Sequence, residues 1–525
     1  MRSRASTTAL LYRRAAVVLL AFLVAAVAGC DVISGSPGGK PGSSEAARRV
    51  ERKATNRPQG LPADFTTGQR LAWSACPAPA AARSEGWECT TMKAPLDYRR
   101  PGRAAIDVAM IRKRAAGPED KRIGSLILNF GGPGQSGLRG LPRFADDYAQ
   151  LGERYDLVSF DPRGVGKTAP VRCGKKEFEG TAACKRHSGK LLPHVGTSHT
   201  ARDMDLMRYL LGDEKLHYFG VSYGTMLGGL YARLFPKNVG RLVLDSPVDP
   251  TLDRIEADLP GLAALQGAFE RFAAHCADTY TDCPLGTNSE QTNRRTIELL
   301  NGLEKNPAPT GGDEKLDASL AAHAIANHLD RGKQGWRPLV KALKELTQRG
   351  TGSKLMKEAY DHSPTARSRA ASGTEAGSRD QSATAGDNGT SAYVAITCAD
   401  SNVRLDYSQS PNLVKRAKDA SPVFGEAWSL DVDICYDWPF AGEHSTPDVS
   451  ADGSSPILVT GNTGDPTTPY QGAERMAHEL GDRVGVLLTV RAEGHGVYPF
   501  NRCATKTVNR YLLQGAIPRH GTTCT

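Results

Sequence analysis

The chain has 525 residues and few aromatic side chains, 6% in all. Beyond its first thirty residues it has no long hydrophobic run. A polytopic membrane protein is therefore excluded. No block of like charge marks the body. Of the net +9, residues 1–60 hold +7, and the remaining 465 residues carry only +2. That distribution argues against a basic nucleic-acid-binding domain. There is no C-x-x-C pair, and the His/Cys spacings match no zinc pattern, so neither a metal nor a cofactor is expected. What is present, 39% apolar and 23% charged residues, suits a globular chain.

The first 29 residues read as an export signal. Arg2, Arg4, Arg13 and Arg14 precede the uncharged run Ala15–Val27, which is too short for an ordinary spanning helix. The run ends Val27-Ala28-Gly29-Cys30, which resembles a bacterial lipobox. That resemblance implies a diacylglyceryl thioether on Cys30, usually with an added N-acyl chain, and hence an outer-face membrane anchor. Residues 30–65 are rich in Gly, Ser, Pro, Arg and Lys and read as a flexible tether whose basic groups can meet anionic lipid heads.

Setting Cys30 aside leaves ten cysteines, an even number in an exported chain. Sequential pairing closes short loops and is the simplest arrangement: Cys76–Cys89, Cys173–Cys184, Cys276–Cys283, Cys398–Cys435 and Cys503–Cys524. The spacing alone leaves the connectivity open.

Short apolar runs at Ser125–Asn129, Tyr155–Phe160, His217–Val221, Arg241–Asp245, Pro456–Gly461 and Val484–Val490 predict buried strands. Helical patterns at Thr200–Leu211 and Tyr223–Phe235 lie between some of them. The alternation predicts an α/β fold with a doubly wound, mostly parallel sheet, opened by antiparallel strands near Trp87–Lys93 and Ala104–Arg112. Residues 66–250 and 451–525 read as two halves of that domain. Residues 251–450 read as a largely helical insertion, with helices at Leu262–Cys276 and Leu316–His328 and a mobile loop over 362–392.

Gly220-Val221-Ser222-Tyr223-Gly224 is a G-x-S-x-G pattern between a predicted strand and helix. Such a turn pushes the serine hydroxyl out at the carboxyl edge of the sheet, with glycines relieving the crowding. A serine needs a base and an orienting acid. His495, in Gly494-His495-Gly496, and Asp465, in Gly464-Asp465, each follow a predicted strand and succeed Ser222 in chain order. Asp245 is the alternative acid. An oxyanion needs main-chain donors: the amide of Tyr223, and that of Gly132 in the loop Gly131–Gly137 (GGPGQSG), where Pro133 cannot donate. A phosphate-binding turn is the other use of such a loop, but no G-K-[ST] continues it.

Together, GGPGQSG, Asp161-Pro162-Arg163-Gly164-Val165-Gly166, Gly220–Thr225, Gly461–Pro469 and Gly494-His495-Gly496 resemble the tripeptidyl aminopeptidase branch of the prolyl-aminopeptidase-like α/β-hydrolases. With the lipobox, the likeness is to mycelium-associated lipoprotein proteinases of actinomycetes. The resemblance implies a secreted serine exopeptidase with a helical cap, releasing short N-terminal peptides from peptide or protein substrates, and implies Ser222, Asp465 and His495 as its triad. Related prolyl enzymes have His where this chain has Phe130. An exopeptidase also needs a counter-charge for the substrate's α-ammonium, for which Asp400, Asp433 and Asp437 are candidates. Asp161 and Arg163 are expected to form a structural ion pair. A carboxylesterase or lipase on the same triad, or a non-catalytic envelope binding protein, are the alternatives.

Overall fold

A computed structural model describes residues 54–77, 86–175, 178–362, 388–405, 408, 410–428 and 434–525. The expected signal segment and Cys30 lie outside the described residues. So does most of the loop expected over 362–392.

Ten strands form one sheet: β1 (Ser74–Ala75), β2 (Trp87–Pro95), β3 (Ala105–Lys113), β4 (Gly124–Asn129), β5 (Tyr155–Phe160), β6 (Leu216–Val221), β7 (Val239–Asp245), β8 (Ile457–Gly464), β9 (Gly485–Glu493) and β10 (Thr522–Cys524). Their spatial order is β1-β2-β3-β5-β4-β6-β7-β8-β9-β10. The first three neighbouring pairs are antiparallel. All later pairs are parallel. This is the α/β-hydrolase fold, with both faces of a mostly parallel sheet covered.

Side chains alternate between the two faces along each strand. On one face Ile127, Tyr218, Leu244 and Val459 pack against Met204, Leu227, Tyr231 and Met476. On the other Leu126, Phe219, Val243 and Leu458 pack against Leu141, Val508 and Leu512. Because both faces are buried, the strands read as continuous apolar runs.

The principal helices are α1 (Gly137–Phe144), α2 (Thr197–Leu210), α3 (Tyr223–Leu234), α4 (Arg254–Thr279), α5 (Ser289–Lys305), α6 (Ala318–Asp330), α7 (Lys333–Arg349), α8 (Gly389–Asp400), α9 (Tyr470–Glu479) and α10 (Arg502–Gln514). α4 starts earlier than the apolar pattern suggests. The Asp253 carboxylate accepts from the amides of Ile255 and Glu256 at 2.8 and 2.9 Å, capping a polar first turn. α4 to α7 share a core of their own, built on Phe269, Phe272, Ile325, Trp336 and Leu343.

Several readings are corrected. Residues 54–65, expected within the tether, dock on the body: Phe65 is buried in the core, and Arg208 Nη2 donates to the carbonyl of Asn56 at 2.8 Å. α8 begins inside the expected loop, because Ala392, Ala395 and Ile396 are buried on several sides and show no amphipathic pattern. Arg163 pairs with Asp203, at 2.6 and 2.7 Å, rather than with Asp161. Its remaining N–H groups reach the carbonyls of Pro95, Leu96 and His194. Asp161 instead accepts from Ser136 Oγ at 2.6 Å and from the amides of Leu138 and Lys167.

Five disulfides join Cys76–Cys89, Cys173–Cys184, Cys276–Cys283, Cys398–Cys435 and Cys503–Cys524. Such a set belongs to an oxidising, extracellular or exported setting. Among the described residues no helix is long and apolar enough to cross a membrane.

Candidate active site

Ser222 occupies the tight turn from β6 into α3 with φ 57° and ψ −125°, a region non-glycine residues rarely adopt. The surroundings force this shape. A Cβ at position 220 would meet the carbonyl oxygen of Gly224 at 2.4 Å, and one at 224 would meet Asn129 Oδ1 at 2.8 Å. The Ser222 amide donates to the carbonyl of Asp245 at 2.9 Å, and Thr225 N donates back to Ser222 O at 2.8 Å. Strand, helix and a neighbouring strand thus hold the elbow.

Asp465 follows β8 and His495 follows β9. His495 Nδ1 lies 3.0 and 3.1 Å from the two Asp465 carboxylate oxygens. The same carboxylate accepts the amides of Thr467 and Thr468, each at 2.9 Å, so its oxygens are fixed in place. The imidazole is mostly shielded from solvent, which opposes its protonation. The carboxylates of Asp465, Asp330 and Asp245 outweigh that effect and push its pKa up to about 9.

Asp245, the alternative acid, holds the histidine loop from behind. Its carboxylate accepts from Thr460 Oγ1 at 2.8 Å and from the amides of Val497 and Tyr498 at 3.0 Å. Burial pushes its pKa up to about 6. Asn462 Nδ2 clamps the same loop through the carbonyls of Gly494 and Gly496, at 2.8 and 3.0 Å.

Ser222, Gly132 and His495 line one cavity of about 840 Å³ between the sheet edge and the helical insertion. The Gly132–Pro133 peptide is cis, and Gly132 has φ 108°. Gly132–Gly137 also fits G-x-G-x-x-G spacing, but the loop opens onto Ser222. The Tyr223 ring turns away from the cavity, with its hydroxyl bonded to Thr197 Oγ1, while its main chain begins α3 beside the serine. Phe130 lines the cavity and packs its ring against Phe144 and Tyr148, at 5.2 and 6.3 Å between centroids.

Neither Asp400 nor Asp437, proposed for the α-ammonium, lines this cavity. Asp400 lies elsewhere, partly buried, and accepts from Thr197 N at 2.6 Å and Thr197 Oγ1 at 2.5 Å. Burial pushes its pKa up to about 7. Asp437 is exposed and accepts from Thr181 Oγ1 at 3.3 Å. Asp433 lies outside the described residues.

The acids that do line the cavity from the insertion are Asp258 and Asp330. Asp330 ends α6, accepts from Thr467 Oγ1 at 2.6 Å, and has its pKa raised by burial. An acid in the last turn opposes the helix dipole, and that was the signal available in the sequence. Glu493, at the sheet edge, is already paired with Arg271 Nε at 2.8 and 2.9 Å.

Comparison with known proteins adds the lineage. Residues 421–524 match the family model for TAP-like proteins. Serine protease Hip1 of Mycobacterium tuberculosis is 32% identical over 501 residues, covering 87% of this chain and 91% of that protein. The chain belongs to the TAP-like α/β-hydrolase serine peptidases. A tripeptidyl aminopeptidase of Streptomyces lividans is 30% identical over 471 residues, covering 83% of each chain. Carboxylesterase B of M. tuberculosis is 30% identical over 513 residues, covering 91% and 94%. Among solved structures, closed Candida antarctica lipase A aligns over 88% of this chain and 87% of its own, with 10% identity and TM-score 0.37. This TAP-like chain is thus a serine hydrolase.

Proposed function

We propose that this TAP-like hydrolase is an extracytoplasmic serine exopeptidase that releases short peptides from free N-termini through an acyl-enzyme. Ser222 Oγ attacks the scissile carbonyl, and His495 takes its proton through the ring nitrogen opposite Nδ1. Asp465 holds Nδ1–H and stabilises the imidazolium. The amides of Tyr223 and Gly132 receive the oxyanion. His495 then gives the proton to the leaving amine, and water releases the acyl group by the reverse path.

The observation that supports this reading most is the joint lining of one cavity by Ser222, His495 and the insertion's Asp258 and Asp330. A carboxylate walled off by helices supplies the counter-charge that an α-ammonium needs on leaving water. Asp258 and Asp330 replace Asp400 and Asp437 in that role.

The test compares a free tripeptide amide of a fluorogenic amine with its N-acetylated form. The expected result is loss of most kcat/KM on acetylation, and a smaller ratio of free to acetylated rates in the Asp258→Asn and Asp330→Asn proteins. The relative called Carboxylesterase B favours a second reading, an esterase on the same triad. Equal rates on blocked and unblocked substrates would select it.

We further propose that Cys30 carries the lipid anchor. Cys30→Ala should release the protein into the medium and abolish labelling by a fatty-acid probe.

A further inference from the structure

Away from the catalytic cavity, three metal-binding side chains converge where the start of α2 meets the loop after β2. Asp97 follows β2, His194 ends the short turn Leu192–His194, and His199 lies in the first turn of α2. One ligand atom from each lies within 4.8 Å of the others. His194 Nδ1 is 3.4 Å from His199 Nε2. Two imidazole nitrogens held at about 2.0–2.1 Å by one tetrahedral zinc ion are separated by roughly 3.3–3.4 Å. The spacing suits a shared cation and is long for an N–H···N hydrogen bond.

A second observation points the same way. His199 is 5% exposed, and its other ring nitrogen, Nδ1, faces Glu443 Oε1 at 3.4 Å. A carboxylate behind a ligating imidazole sets its tautomer and aims the opposite lone pair at the ion. The charged neighbours leave room for this. Arg100 touches Asp97 Oδ2 at 3.0 Å but is 61% exposed and can swing into solvent. Arg163, bonded to the His194 carbonyl, has its charge met by Asp203.

We propose that Asp97, His194 and His199 form a binding site for a divalent transition-metal ion of the zinc class, with Glu443 orienting His199 and water completing the shell. The two histidines stand five positions apart across a turn and the carboxylate comes from far upstream, so a local ligand pattern does not mark the set. None of the three lines the catalytic cavity, so the ion acts on the scaffold. It would pin the loop after β2 to α2, whose first residue Thr197 bonds to the Tyr223 hydroxyl beside Ser222.

The test uses the full chain without an affinity tag, stripped by chelator and titrated with Zn²⁺ by calorimetry and Co²⁺ by visible absorption. We expect one ion per chain, tetrahedral Co²⁺ bands, and a higher Tm with Zn²⁺. Asp97→Asn and His194→Gln should each weaken binding at least tenfold, and Glu443→Gln by about 10–100-fold. The bands should survive in His495→Gln. Failure of the unaltered chain to take up Co²⁺ overturns the proposal without reference to any variant. Unchanged affinity in folded Asp97→Asn and His194→Gln proteins, or loss of the bands in His495→Gln alone, overturns it as well.

Discussion

The main-chain amide of His495 donates to the carbonyl of Asp330 at 2.7 Å, so the last residue of a helix in the insertion fixes the loop that carries the imidazole. The contact is close along its length. A Cβ at Gly332, which has φ +56°, would come within 2.3 Å of the Glu493 carbonyl. The helical insertion and the histidine loop are therefore in direct contact at this point.

That contact sets the first prediction, on pH. With its pKa near 9, His495 is mostly imidazolium at neutral pH and cannot accept a proton. The rate kcat/KM should climb from pH 7, reach half its maximum near pH 9 and level off about a unit above that. Asp330→Asn removes a carboxylate that favours the charged ring, so the acid limb should shift to lower pH. An unmoved limb would show that Asp330 exerts no field at the imidazole.

The same shift has a stability counterpart. The folded pKa of His495 lies above the ordinary value of about 6.5, so its contribution is complete below pH 6.5 and disappears as pH rises through 9. Urea unfolding of the Ser222→Ala and Ser222→Ala/His495→Gln proteins across pH 6–10 should show this loss only in the former.

Ser222→Ala removes the hydroxyl proposed as nucleophile and leaves the elbow's backbone bonds in place. Turnover should fall by roughly 10⁴-fold or more. Tm should stay level, because alanine keeps the Cβ and with it the same backbone strain. Covalent labelling by a fluorophosphonate should vanish in the variant.

Asp203 is fully buried against Arg163 and also accepts from the Tyr98 hydroxyl at 2.7 Å. Asp203→Ala leaves a guanidinium uncompensated in the core. A loss of about 3–5 kcal/mol is expected from denaturant unfolding.

Cys398–Cys435 closes a 37-residue separation and ties α8 to the segment around Trp438. In the chain-entropy account a loop of that length contributes about 4 kcal/mol. The Cys398→Ser/Cys435→Ser protein should unfold at correspondingly lower denaturant, with its Ser222 labelling retained below the transition.

Much of this molecule is written locally. Strands such as Ser125–Asn129 and Tyr155–Phe160 are apolar on both sides because both faces are covered, so their composition alone reveals a parallel sheet. Ser222 between crowded glycines, and Asp465 and His495 each just beyond a strand, are legible because turn geometry depends on adjacent residues. Tertiary structure decided what depends on distant partners: Arg163 with Asp203, Asp245 behind the histidine loop, Asp400 turned to Thr197, and Asp330 brought into the cavity. A carboxylate carries no mark of which face of a packed helix will enclose it. Burial and charge pairing are properties of neighbours in space, and those neighbours lie tens to hundreds of residues away along the chain.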